Sequence, residues 1–174
     1  MNETLIRVNY CDEKIGVGEK MELHNSPILH RAFSVFIVHE DKMLIHRRSI
    51  GKYHSGGLWT NACCSHMRDG VSEIDAIRNR LIVELGITAT PEYITKFVYY
   101  HKFDENLYEF EYDHVYLLDY DGGFSVNPEE IEEISWVDIE WLAMDIVKEP
   151  SKYTVWFVSA FGFVYDYIRK KRRI

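Results

Sequence analysis

The sequence predicts an α+β fold, a mixed β-sheet sandwich flanked by helices. Three observations carry that reading. Alternation within AFSVFIVHEDKMLIHRR, residues 32–48, marks two strands on either side of Glu40-Asp41. Residues 72–85 place Ile74, Ile77, Leu81 and Leu85 at helical spacing. Residues 151–172 are dominated by aromatic and aliphatic side chains and read as a long closing helix. Many strands with few helices fit a sheet covered by helices.

Taken in order, the first strands run over 32–38 and 43–48, joined by the Glu40-Asp41 turn. SIGKYHSGGL, residues 49–58, carries Gly51, Gly56 and Gly57 and reads as a loop. The helix over 72–85 has Ser72 as its N-cap, and Gly86 stops it. Strands are expected at 92–100 and 110–118, a short one at 134–138, and a helix at 138–147. Pro27, Pro91, Pro128 and Pro150 punctuate connections. No repeat or low-complexity linker divides the chain, so one domain over 1–174 is expected.

Composition excludes several classes of function. Of the 174 residues, 47% are hydrophobic and 28% charged, the balance of a soluble globular domain. No apolar run approaches the roughly 20 residues of a membrane span. MNETLIRVNYCDEK lacks a cationic start followed by an apolar block, so no secretory signal is expected. Three cysteines make a disulfide framework improbable, and a reducing, cytoplasmic setting is expected. The formal net charge of −8 argues against a nucleic-acid partner. The basic run Arg169 to Arg173 reads as a solvated helix end.

Chemistry concentrates in a few places. WTNACCSH, residues 59–66, sets two adjacent cysteines two residues from a histidine. Cys63 reads as a buried filler, and a Cys63–Cys64 disulfide would need a strained ring. Arg80 and Glu84 share a helix face, as an ordinary ion pair or as a metal and phosphate site. In YEFEYD, residues 108–113, Glu109 and Glu111 point to one side of a strand and repel each other. Joined by His24, His30 and His66, they form an N3O2 set suited to a borderline divalent ion. His39, His46, His54, His101 and His114 lack such support and read as structural.

IRNRLIVELGI resembles the helix of the Nudix fold. Of that helix's hydrolase signature only Glu84 and Gly86 remain, with Leu81 and Ile87 at its aliphatic positions. Asn79, Arg80 and Val83 stand where it has arginine, glutamate and glutamate. That is too few carboxylates for metal-assisted diphosphate cleavage. EKMELH, LHRAFSVF, HRR followed by Lys52, WTNACCSH, VELGI, EFEYD and Trp156 together resemble the type 1 isopentenyl diphosphate isomerases, over about residues 5–160.

The resemblance implies a Nudix-like fold and interconversion of isopentenyl and dimethylallyl diphosphate through a tertiary carbocation. It implies Cys64, Glu111 and Tyr99 as catalytic residues. His24, His30, His66, Glu109 and Glu111 fall on a metal site for Mn2+, Zn2+ or Mg2+. Glu84 falls on a Mg2+ site serving the diphosphate, and Lys20, Arg48, Lys52 and Arg80 fall on its cationic contacts. Trp156 lines the hydrocarbon pocket. A cationic neighbourhood is expected to lower the Cys64 pKa. Met67, Val71 and Asn79 depart from the family's usual proline, glutamate and arginine. The expected partner is a small isoprenoid diphosphate, with no membrane contact and a monomeric or weakly homo-oligomeric state. The alternatives are a Nudix-type diphosphate hydrolase and a non-catalytic zinc-binding module.

Overall fold

The computed structural model of the protein describes residues 4–52 and 54–172. Among these, nine strands form one mixed sheet, with four α-helices packed about it. Strand β3 (His30–His39) is its trunk and is buried at nearly every position. Such a run, apolar on both faces, belongs to a strand covered from both sides. Phe33, Val35 and Ile37 pack with Ile77, Leu81 and Leu85 of helix α2 (Glu73–Leu85). Phe36 and Val38 pack with Leu142 and Ile146 of α3 (Ile139–Lys148) and Phe157 and Phe161 of α4 (Val155–Arg172). Each such side chain contributes about 1.5–3 kcal/mol of burial.

One edge of β3 is taken by β8 (Leu107–Asp119), parallel, from His30↔Glu111 to Val38↔Asp119. Strand β7 (Glu92–Asp104) folds back on β8 and sets Tyr99 opposite Glu111. The other edge of β3 has three successive partners. Strand β1 (Thr4–Val8) meets it at Arg7↔His30. Strand β6 (Cys63–His66) pairs from Ala32↔His66 to Val35↔Cys63. Strand β4 (Lys42–Arg48) pairs only near the turn, from Ile37↔Leu44 to His39↔Lys42. The β3–β4 hairpin therefore splays. Its wedge is filled by WTNACCSH: β5 (Trp59–Thr60) pairs with β4 and β6 with β3. Buried Asn61 stitches the wedge, donating to the carbonyls of Val35 at 3.1 Å and Cys63 at 2.7 Å. Strand β9 (Ile131–Asp138) pairs with β4 along its length.

The helix over 72–85 forms as its sequence implies. Ser72 Oγ accepts from the Asp75 amide at 3.3 Å. Gly86 takes φ +69, and a Cβ there would meet Ser125 Cβ at 2.6 Å. Elsewhere the structure goes beyond the sequence reading. The expected strands at 92–100, 110–118 and 134–138 extend to Glu92–Asp104, Leu107–Asp119 and Ile131–Asp138. The closing helix begins at Val155, after a 3-10 turn at Pro150–Lys152. The loop-like WTNACCSH contains two short strands. Hairpin β1–β2 (β2, Lys14–Glu19) and helix α1 (Lys20–Asn25) precede the first expected strand. In the basic run, Arg169, Lys171 and Arg172 are ion-paired with Glu140, Glu92 and Asp41; Arg173 lies outside the described residues.

Candidate active site

Four elements deliver five side chains to one point. His24 comes from α1, His30 and His66 from neighbouring strand ends, and Glu109 and Glu111 from alternate positions of β8. One donor atom from each lies within 4.8 Å of the others. The orientation is imposed from outside. His24 Nδ1–H donates to the Lys20 carbonyl at 2.6 Å and His30 Nδ1–H to that of Ile28 at 2.9 Å. A carbonyl can only accept, so each ring turns an Nε2 lone pair inward. His24 and His30 are fully buried, and Glu109 and Glu111 nearly so.

Among these atoms, His30 Nε2 and Glu109 Oε2 have no hydrogen-bond partner. An orphaned buried polar atom costs about 1–3 kcal/mol. Three imidazoles and two carboxylates with inward lone pairs fit a divalent cation, which would satisfy both. Burial disfavours charge on His66, but the Glu109 and Glu111 carboxylates outweigh it and lift its pKa to about 9. Burial raises Glu109 and Glu111, yet the imidazoles around them, with the charge on His66, hold both below the usual range.

This cluster is one end of a cavity of about 330 Å³. At its other end stand Lys20, Arg48, Lys52, Arg68 and Arg80, with Glu84 and Glu130. Arg80 donates to Glu84 and, at 3.5 Å, to Glu130, while Lys52 pairs with Glu130. Burial of Glu84 outweighs the pull of Arg80 and raises its carboxyl to about 7. The cations outnumber the acids, so this end attracts anions.

Cys64, Tyr99 and Trp156 also line the cavity. Strand alternation turns Cys63 into the core, fully buried, and Cys64 toward the cavity. All three cysteines are free thiols. Tyr99 Oη–H donates to Glu111 Oε2 at 2.5 Å. The Arg48 guanidinium lies 5.0 Å from the Trp156 ring centre. The lowering of the Cys64 pKa expected from metal, arginine and lysine together is not produced by the neighbouring side chains by themselves. Burial pushes the thiol up to about 12, and Arg48 offsets only part of it.

Every expected site residue thus lines this cavity or, for His24 and His30, its deep wall. Met67 is buried, and its amide donates to the Arg31 carbonyl at 2.8 Å, a bond proline could not make. Val71 and Asn79 are exposed and absent from the cavity wall. Three contributors went unforeseen. His46 and His54, read as structural, both line the cavity. Burial and nearby Arg48 keep His46 neutral, with a pKa near 3. A histidine beside Lys52 in a glycine-rich loop was the available signal for His54. Glu130 had none, since no spacing ties it to Lys52.

The NUDIX domain family matches residues 28–157. Isopentenyl-diphosphate Delta-isomerase 2 of Aromatoleum aromaticum is 40% identical over 160 residues, covering 91% of this chain and 85% of that protein. Isopentenyl-diphosphate Delta-isomerase of Serratia proteamaculans is 41% identical, covering 91% and 89%. Among solved structures, DR0079 from Deinococcus radiodurans superposes with a TM-score of 0.68 at 22% identity, covering 84% of this chain and 90% of that one. The MutT protein from Methanosarcina mazei Go1 gives 0.65 at 18%, covering 82% and 96%. Those two likenesses show the fold. The chain therefore belongs to the Nudix superfamily and, within it, to the isopentenyl-diphosphate Delta-isomerase family.

Proposed function

We propose that the protein interconverts isopentenyl diphosphate and dimethylallyl diphosphate by protonation and deprotonation through a tertiary carbocation. The observation that carries this reading is one cavity lined by Cys64, by Glu111 with its Tyr99 partner, and by Trp156, with cations at its far end. An unactivated alkene is a poor base, so the acid must be well placed and a second group must receive the other proton.

Burial and the imidazoles alone favour the Cys64 thiol and the Glu111 carboxylate. The form that reacts toward dimethylallyl diphosphate is therefore the one in which the pair's single proton has moved to Glu111, and it returns there after each turnover. In that form the Glu111 carboxyl gives its proton to the terminal alkene carbon. The Cys64 thiolate then takes a proton from the methylene beside the cationic carbon. The reverse reaction exchanges these roles. Tyr99 holds Glu111 in orientation. The Trp156 indole faces the cation without reacting, and the enclosed wall keeps water from trapping it. Arg48, Lys52, Arg80 and Lys20 grip the diphosphate.

A divalent ion (Mn2+, Zn2+ or Mg2+) on His24, His30, His66, Glu109 and Glu111, when bound, sharpens the acidity of Glu111, and Mg2+ on Glu84 offsets diphosphate charge. The cavity of about 330 Å³ is near the lower bound of ligand pockets, about 300 Å³, which favours a five-carbon diphosphate over a nucleotide. The setting we propose is a single domain, monomeric or weakly homo-oligomeric, in the cytoplasm. Three free thiols support a reducing compartment, and no helix among the described residues is long and apolar enough to cross a membrane.

The test is incubation of reduced, metal-replete protein with labelled isopentenyl diphosphate and magnesium. An acid-labile allylic product is expected without redox cofactor. Release of phosphate instead would make the protein a hydrolase, and absence of the allylic product sinks the isomerase reading.

A further inference from the structure

His54 belongs to the loop 49–58, between the anion-facing Arg48 and Lys52 and the wedge strands. Backbone bonds close this loop on itself, from Arg48 to Leu58 at 3.0 Å and from Gly57 to Arg48 at 3.0 Å. The His54 side chain nevertheless leaves the loop and reaches the deep cluster. Its Nε2 lies 3.1 Å from Glu109 Oε1. Its ring stacks on Phe103 with centroids 4.6 Å apart and meets Trp156 edge-on at 5.8 Å.

The two oxygens of Glu109 are thereby divided. Oε2 faces His24 at 3.4 Å and His66 at 3.9 Å, with no hydrogen-bond partner of its own. Oε1 faces His54. A cation on Oε2 leaves the Oε1 contact intact, and that contact fixes the carboxylate plane. The same residue is tied to the anion-facing end, because Arg48 Nη2 donates to the His54 carbonyl at 3.5 Å.

We propose that His54 is a positioning residue that fastens the anion-gripping loop to Glu109, so that the metal centre and the loop order one another. Metal loading stiffens the loop through Glu109 and His54. Loss of the His54 donor frees Glu109 to rotate and the metal to leave. Coupling of this kind is reciprocal. The proposal rests on the metal site of the preceding reading, and it adds an outer partner that couples that site to diphosphate capture.

The test uses full-length protein loaded with Mn2+, without substrate. His54→Phe keeps the aromatic stacking and removes the donor; His54→Gln keeps a donor near the Nε2 position. Manganese release to a chelator is expected to be about 10-fold or more faster in His54→Phe, the range for a metal's outer partners, and largely restored in His54→Gln. Hydrogen exchange of the amides in 49–58 should slow on metal loading in the wild type and not in His54→Phe. Wild-type release from His54→Phe, or loop exchange in the wild type that ignores the metal, overturns the proposal. The exchange measurement needs no variant, so it stands if His54→Phe does not fold. Neither readout involves turnover, so a failed product assay and a failed coupling are distinguishable.

Discussion

The two ends of the cavity use similar ingredients, acids beside bases, in opposite ways. At the deep end the groups are short, held by strands or a helix turn, and oriented from behind by carbonyls, Tyr99 and His54. Their lone pairs converge, and two of the atoms are left without partners. At the outer end the cations are long, and Lys52 and Arg80 are paired with Glu130 and Glu84. Lys52 and Glu130 pair with side chains 23% and 22% exposed, whereas His24 and His30 are at 0%. A rigid, unsatisfied cluster suits a resident cation. A partly paired, partly solvated cluster with cations in excess suits a visiting anion, because incoming phosphate oxygens can take the place of Glu130 on Lys52.

Substitutions can break or sharpen this contrast. The largest effect is expected at Cys64. Cys64→Ala should lower turnover by about 10²–10⁴-fold, the range for a positioned acid or base, with metal content and thermal unfolding unchanged. Steady-state rates beside elemental analysis check this, and near wild-type turnover would remove Cys64 from the chemistry.

The next pair separates the ends directly. His66→Ala should weaken tight metal binding by more than the about 10–100-fold typical of an outer partner. Lys52→Ala should keep the metal and raise KM about 10-fold with little change in kcat, as loss of one charge-assisted contact does. If both variants lose metal equally, the two ends are not distinct. Cys63→Ala should have the smallest effect, a loss of about 1 kcal/mol in denaturant unfolding with turnover retained. An inactive but folded Cys63→Ala protein would contradict the division of labour between the neighbouring thiols.

Much of this was legible before any coordinates. The helix over 72–85 carried its own cap, stripe and stop, and needs no neighbour to be recognised. Strand alternation sufficed to aim Glu109 and Glu111 the same way, whereas the opposite aims of Cys63 and Cys64 rest on β6, a strand the sequence did not predict. The N-terminal elements were hidden for physical reasons. Strand β2 is short and largely exposed, and Gly16 and Gly18 interrupt the weak alternation set by Ile15 and Val17. Helix α1 spans six residues with no side-chain cap hydrogen bond, and it buries only Leu23 and His24. Strands β5 and β6 exist because the splayed hairpin offers them unpaired edges. Glu130 and His54 reach the site through the paths of loops, which depend on contacts distant in sequence.

The parallel pairing of β3 with β8 has a consequence for how the molecule is made. A chain emerging from the ribosome carries His24, His30 and His66 long before Glu109 and Glu111 exist. The three imidazoles lack their carboxylate partners until β8 is synthesised and docks beside β3, setting Glu111 next to His30. Loop closure over so long a separation is slow compared with local hairpins. The converging set of three imidazoles and two carboxylates is thus complete only once β8 has docked, and a chain ending before β8 cannot assemble it.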